Sequence, residues 1–236
     1  MAVKSGCELT EKYDLMYRSS GYRRLDTHPG QGWPRDRLQA IVAMGGEGEA
    51  ILDIGCGDGY LLYQFRNSFS KLIGLECSIE RLSTARANLS AHDFVPILGS
   101  AEDMREIDSN SVDRIVSADT IEHVPDLYLA VSEMYRVLAR GGILVINTPN
   151  IAFIKKRLQL CLGRFPATSQ ANEGIGESQL FDGGHLHYFT FRSLGLVLRN
   201  AGFQLVRKIG FGPLGVLQNV FPSLMSGGVQ WVARKP

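Results

Sequence analysis

Residues Ile51-Leu52-Asp53-Ile54-Gly55-Cys56-Gly57-Asp58-Gly59-Tyr60-Leu61-Leu62 read ILDIGCGDGYLL. Glycines at the alternate positions 55, 57 and 59 follow an apolar run that holds a single acid, Asp53, and a second apolar run follows them. Glycine has no Cβ, so it admits positive φ and lets a ligand lie against bare main chain. The stretch therefore reads as the exit of a buried strand, with a loop shaped around a bound group.

Further apolar runs follow from this point: KLIGLE (71–76), VPILGS (95–100), DRIVSAD (113–119) and GILVINTP (142–149). Helical patterns lie between them near 59–68, 78–91, 102–106 and 126–139. Continuous apolar strands alternating with helices predict a parallel sheet covered on both faces. The pattern at 126–139 is the clearest, with Leu127, Ala130, Val131, Met134 and Leu138 at helical steps. Gly141 and Gly142 stand where C-caps are expected. Residues 1–48 read as helical pieces around the turn-rich THPGQGWP, with Pro34 suited to open a helix.

After Pro149 the alternation stops. One amphipathic helix is predicted at about 151–162, then a long polar, Gly-containing loop, so that 150–184 reads as a lid. Thr190 is expected to N-cap a helix ended by Gly202, and FQLVRKI and VQWVARK to form a closing hairpin. The expected units are a helical cap at 1–48 and a domain at 49–236 carrying the lid insertion at 150–184.

Composition narrows the function classes. The 236 residues are 44% apolar and 21% charged, with 25 Lys and Arg against 24 Asp and Glu. That is enough for a sizeable core, and it shows no basic excess of the kind a broad nucleic-acid surface carries. No apolar run reaches the ~18 residues of a membrane span, and the polar, acid-bearing N-terminus does not read as a signal peptide. Cys7, Cys56, Cys77 and Cys161 have neither metal-ligand spacing nor a disulfide framework, which suits a reducing cytoplasm.

The glycine loop fits neither common nucleotide motif. Tyr60 stands where a dinucleotide fingerprint continues, and no Lys-Ser or Lys-Thr follows as a Walker loop requires. The pattern Asp53, Gly55, Gly57, Gly59, with the later runs in order over about 50–150, resembles the class I S-adenosylmethionine-dependent methyltransferases. Within them it is most similar to the small-molecule O-methyltransferases, which include enzymes acting on quinone rings.

The resemblance implies a doubly wound, Rossmann-like α/β fold of seven strands with the last antiparallel, and S-adenosylmethionine as cofactor, released as S-adenosylhomocysteine. Asp53, Gly55, Cys56, Gly57 and Gly59 would admit and tie down its amino-acid end. Glu76, 23 residues after Asp53, would accept both ribose hydroxyls, as carboxylates do in dinucleotide folds. Cys77 would lie against the adenine as packing. Gly99-Ser100-Ala101-Glu102 replaces the family's Gly-Asp-Ala-Glu, which leaves the adenine contact open among Ser100, Ala101, Glu102 and the main chain. Ser117 and Asp119 end the fourth run, facing the methionine part.

Asp119, Glu122 and His123 stand at i, i+3 and i+4, with His187 before Phe189, a set able to hold a divalent ion. The preferred reading is metal-free, with the Glu-His pair orienting loops. His187 and His123 are the candidates for taking the acceptor's proton, His185 less so. Lys155-Lys156-Arg157 is read as a solvated face by default, with an acidic substrate, a lipid surface and RNA phosphate as the other readings. Tyr13, Tyr17, Tyr22 and Trp33 are assigned to the cap.

The expected activity is methyl transfer to a small-molecule oxygen. Metal-assisted RNA 2′-O-methylation and a catalytically silent cofactor-binding scaffold are the alternatives. Nucleic acid is not an expected partner.

Overall fold

The computed structural model describes Leu25 and residues 34–169 and 184–236. The elements run α1 (Arg37–Gly45), β1 (Gly48–Ile54), α2 (Tyr60–Phe65), β2 (Phe69–Glu76), α3 (Ile79–Asn88), β3 (Phe94–Leu98), β4 (Val112–Ala118), α4 (Leu127–Val137), β5 (Leu138–Pro149), α5 (Ile154–Cys161), α6 (Phe191–Asn200), β6 (Gln204–Ile209), α7 (Val216–Val220), α8 (Pro222–Met225) and β7 (Gly228–Arg234).

One seven-stranded sheet has the order β3-β2-β1-β4-β5-β7-β6. β1 to β5 pair in parallel, and β7 enters antiparallel between β5 and β6. The expected doubly wound sheet with its last strand antiparallel is thus the observed one. The order reverses between β1 and β4, and in open α/β sheets the crevice for a ligand lies at such a switch point.

Both faces are apolar, as continuous runs demand. Leu52, Ile54, Ile115 and Ile146 pack against Ala130 and Met134 of α4 and Leu194 of α6. Ile51, Leu72, Val116 and Val145 pack on the other face against Ile41 of α1, Leu62 of α2 and Leu82 of α3. Each fully buried aliphatic side chain contributes about 1.5–3 kcal/mol relative to exposure.

Several helix ends differ from expectation for local reasons. α1 opens at Arg37, because the Asp36 side chain accepts from Gln39 N, and Pro34 lies before it. Residues 102–106 form turns around an isolated Ser100–Asp103 bridge rather than a helix. Asp126 caps α4 by accepting from Tyr128 N and Leu129 N, but the helix passes at Leu138 directly into β5, so Gly141 and Gly142 are strand residues and not caps. Gly141 takes φ 78 and its N–H donates to Lys235 O. Thr190 caps α6 in a full capping box with Ser193, and Gly202 follows the C-cap at φ 101.

Tyr13, Tyr17, Tyr22, Trp33 and most of the expected cap lie outside the described residues, as do 170–183 of the expected lid. The α1 helix, read as cap, packs on the sheet itself, and Gln230 of β7 donates to Ala40 O.

Candidate active site

The loop after β1 is held from three sides. Gly55 N and Cys56 N both donate to Leu75 O at the end of β2. Thr120 Oγ1 donates to Ile54 O at 2.9 Å, and lies where a Cβ on Gly55 would sit only 2.3 Å away. The third hold is Glu76. Its Oε2 accepts from Gly57 N at 2.9 Å, and its Oε1 accepts from Cys77 N at 2.9 Å and Ser78 N at 3.0 Å.

Three main-chain donors fix the plane of this carboxylate and, with the Cys77 thiol, occupy Oε1, so the acceptor position left for a hydroxyl is the second lone pair of Oε2. Gly57 has φ 57, the left-handed backbone that favours glycine, and a Cβ there would lie 2.6 Å from Arg81 Nη2, the movable end of a flexible side chain.

The crevice is acidic. Asp53 is buried, and burial, reinforced by Glu76 and Asp58, pushes its carboxyl up to about 8, with Arg81 opposing. With the Asp53 carboxyl protonated near neutral pH, Glu76 and Asp58 stand against the one guanidinium of Arg81, a set that suits hydroxyl and ammonium groups better than a pyrophosphate.

The cysteines beside the loop are inert by the same logic. Burial, then Glu76, raises Cys77 to about 12, and its Sγ donates to Glu76 Oε1. Cys56 lies in the core with its Sγ against Gly74, which leaves its main chain for a ligand, and burial pushes its thiol well up.

Beyond β3, Glu102 is already engaged. Ser100 Oγ donates to one of its oxygens and Asp126 N donates to the other at 2.8 Å. Ala101 is buried in the core. Ser117 is fully buried, and its Oγ has no hydrogen-bond partner among the described residues.

The tail of β4 divides the expected Asp119-Glu122-His123 set. Asp119 takes φ 50, unusual for a non-glycine residue, and its N–H donates to Asn147 O. Its Oδ2 lies 2.7 Å from Arg37 Nε, an ion pair at contact distance rather than a directed hydrogen bond. Asp119 therefore does not share a helical face with the two residues that follow, as the spacing had suggested.

Glu122 and His123 instead meet His185. The three ligand-type atoms lie within 4.8 Å of one another, and the His123 and His185 rings meet edge-to-face at 4.7 Å. Glu122 is buried, and burial, then Asp119, pushes its carboxyl well up. Thr148 Oγ1 donates to its Oε2 at 2.9 Å, while Oε1, 4.0 Å from His185 Nε2, has no hydrogen-bond partner among the described residues.

A carbonyl only accepts, so His123 Nδ1, 2.8 Å from Gly184 O, carries the proton and the ring's lone pair is on Nε2. By the same rule His187 Nε2, 2.8 Å from Val124 O, is the donor that supports the 120–126 turn. His185 Nδ1 lies 2.7 Å from Thr168 Oγ1. The structure thus places His185, the less favoured histidine of the sequence reading, in the buried cluster and His187 beside it. The contribution of Thr168 leaves no trace in local sequence.

The observations that test a cofactor fit agree. A glycine loop with positive φ at 55, 57 and 59 and a pre-oriented carboxylate beside it suit a nucleoside joined to an amino acid.

Comparisons with known proteins point the same way. Residues 52–146 match the family described as Methyltransferase domain. The chain is 31% identical over 116 residues to malonyl-[acyl-carrier protein] O-methyltransferase of Serratia marcescens, covering 48% of this chain and 44% of that protein. It is 32% identical over 124 residues to the mitochondrial ubiquinone biosynthesis O-methyltransferase of Homo sapiens, covering 49% and 32%. The chain thus spans less than half the length of these relatives.

Among solved structures, an S-adenosylmethionine-dependent methyltransferase of Mesorhizobium loti superposes with TM-score 0.59 at 18% identity over 83% of this chain and 95% of that one. Another, from Aquifex aeolicus, gives 0.57 at 15% identity over 84% and 89%. Residues 52–146 are thus similar to the family described as Methyltransferase domain, and the seven-stranded sheet around them has the fold of these solved S-adenosylmethionine-dependent methyltransferases.

Proposed function

We propose that the protein transfers a methyl group from S-adenosylmethionine to an oxygen of a small-molecule acceptor. The observation that carries this reading is the Glu76 carboxylate, held by Gly57, Cys77 and Ser78 against the glycine loop at the switch point of the sheet. The oxygen acceptor is supported by the names of the two relatives, both O-methyltransferases.

When bound, the cofactor supplies an electrophilic methyl group on a sulfonium. Glu76 receives a ribose hydroxyl on Oε2, and the bare loop at Gly55 and Gly57 admits the amino-acid end, beside Asp53. His123, held through Nδ1 by Gly184 O, presents the Nε2 lone pair that takes the acceptor's hydroxyl proton. His187 acts as a positioning residue by holding Val124 O. Orientation of acceptor and donor supplies the rest of the acceleration.

Incubation with radiolabelled S-adenosylmethionine and a panel of phenolic and carboxylic acceptors tests the reading. His123→Ala is expected to lower kcat by about 10²-fold or more with cofactor affinity unchanged. An unchanged kcat removes His123 from the chemistry, and label found only on nitrogen or carbon overturns the oxygen assignment.

A second reading is favoured by the Oε1 of Glu122, unpartnered among the described residues: a divalent cation held by Glu122, His123 and His185, whose ligand-type atoms lie within 4.8 Å of one another. Loss of turnover in chelator, restored by Mg²⁺, would select it over a metal-free base.

A further inference from the structure

Charge is distributed unevenly along the chain. Of its 24 acids only three follow residue 133, whereas 12 of its 25 Lys and Arg do. Those three, Glu173, Glu177 and Asp182, lie outside the described residues. The described residues after 133 are therefore wholly without acid, and the net charge of +1 conceals a basic C-terminal half.

Within that half, α5 is exposed on the side a helix normally buries. Ile154, Leu158, Cys161 and Leu162 fall at i, i+4, i+7 and i+8, the stripe that faces a core in a globular protein. Here no residue of α5 is buried, Leu158 is 56% exposed and Leu162 72%, and Leu160 and Phe165 are exposed beside them. Lys155, Arg157 and Arg164 are exposed in the same segment.

A second apolar surface lies at the same end of the sheet. Pro149 at the end of β5 pairs with Gly228 at the start of β7, so α5 leaves and α8 enters at one end of the sheet. Asn150 latches them: its N–H donates to Gly227 O at 2.9 Å, and its Nδ2 donates to Ser226 O at 2.9 Å and to Ser223 O of α8 at 3.3 Å. On α7 and its flanks, Leu214, Val216, Leu217, Val220 and Phe221 are all exposed. Exposed large apolar side chains are thus gathered at one end of the sheet rather than scattered singly over the surface.

We propose that this face, formed by α5 with residues 162–165 and by α7 with its flanks, docks on an anionic lipid bilayer. Exposed leucine interleaved with Lys and Arg along α5 is the pattern of a helix lying in a membrane interface, and the α7 segment adds an apolar surface that carries neither acid nor base. The apolar side chains enter the acyl boundary while Lys155, Arg157 and Arg164 meet lipid phosphates. A second copy of the chain is the poorer occupant, because a two-fold contact would set the same basic residues against each other. RNA fits less well, since aliphatic side chains offer bases little to stack on. Thr168, just beyond α5, contacts His185, so a docked face brings the site toward the lipid.

Co-sedimentation of the full chain with phosphatidylcholine vesicles, with and without phosphatidylglycerol, tests the proposal, and its readout does not depend on methyl transfer. Binding is expected to the anionic vesicles and to weaken in high salt. Lys155→Ala with Arg157→Ala should lower the partition coefficient on the order of 30-fold. Leu158→Glu with Leu162→Glu, and separately Leu217→Glu with Val220→Glu, should each lower it about tenfold or more. Melting temperature should not change, since all four side chains are exposed. The proposal is overturned if anionic vesicles do not retain the chain, or if both glutamate pairs bind as the parent does. A parent dimer that Leu158→Glu dissociates, or retention by RNA but not by vesicles, also overturns it.

Discussion

The main-chain N–H of Gly57 donates to Oε2 of Glu76 at 2.9 Å, which ties the loop after β1 to the last residue of β2. One carboxylate thereby sets the loop's shape and faces the crevice that the loop lines. Structural and binding roles fall on the same two oxygens, and this makes Glu76 the residue whose variants separate them.

Glu76→Ala leaves the N–H groups of Gly57, Cys77 and Ser78 without their acceptor. Each buried donor so orphaned costs on the order of 1–3 kcal/mol, less where water enters. Glu76→Gln keeps one acceptor oxygen and should lose less. Thermal melts should rank parent, Gln and Ala in falling order of Tm, while both variants lose affinity for S-adenosylhomocysteine. A Gln variant with parental affinity would remove the ribose role.

The Asp53 carboxyl, raised from 3.8 to about 8 by burial first and by neighbouring acids second, links stability to pH. Between those values the folded chain holds a proton that the unfolded chain has released, so its stabilising contribution is full at acid pH and lost as pH rises through the folded value. The slope is about 1.4 kcal/mol per pH unit within the window. Asp53→Asn should flatten it, read as denaturant midpoints from pH 5 to pH 8. The ammonium group of a bound amino-acid moiety beside Asp53 favours the ionised form, so S-adenosylhomocysteine should bind more tightly as pH rises across this range, with proton release visible by calorimetry. An Asn variant with the parental slope would contradict both statements.

Gly55→Ala places a methyl 2.3 Å from Thr120 Oγ1 at φ 77. Left-handed backbone costs a non-glycine residue about 1–2 kcal/mol, and overpacking adds about 1–3. Thr120→Ala in the same background should recover part of the overpacking cost while leaving the backbone cost. A double-mutant cycle from denaturant midpoints reads this coupling, and additivity within error would mean the contact is not what excludes a side chain at Gly55.

The parallel sheet was legible because its strands are buried on both faces and so run apolar without alternation, as in Leu72 to Leu75. Helix ends were less so. Gly141 and Gly142 look like caps until the antiparallel neighbour is known, whose Lys235 carbonyl receives the Gly141 N–H. The histidine cluster failed for a related reason. Spacing alone puts Asp119 beside Glu122 and His123, but Asn147 O and Arg37, far along the chain in opposite directions, hold Asp119 in a positive φ that turns it away. The choice of His185 over His187 likewise depends on Thr168 and Val124, which no local pattern joins to them.

The central claim, a nucleoside and amino-acid cradle made by the Gly57 main chain and Glu76, is tested most directly by calorimetric titration of S-adenosylhomocysteine into the parent chain and into Gly57→Val. Valine at φ 57, with its Cβ against Arg81, fills the cradle. The account predicts saturable one-site binding to the parent and loss of about 100-fold or more in the variant, since a misfit here removes several kcal/mol of contact. No measurable heat with the folded parent, or equal affinity in the folded variant, would contradict it.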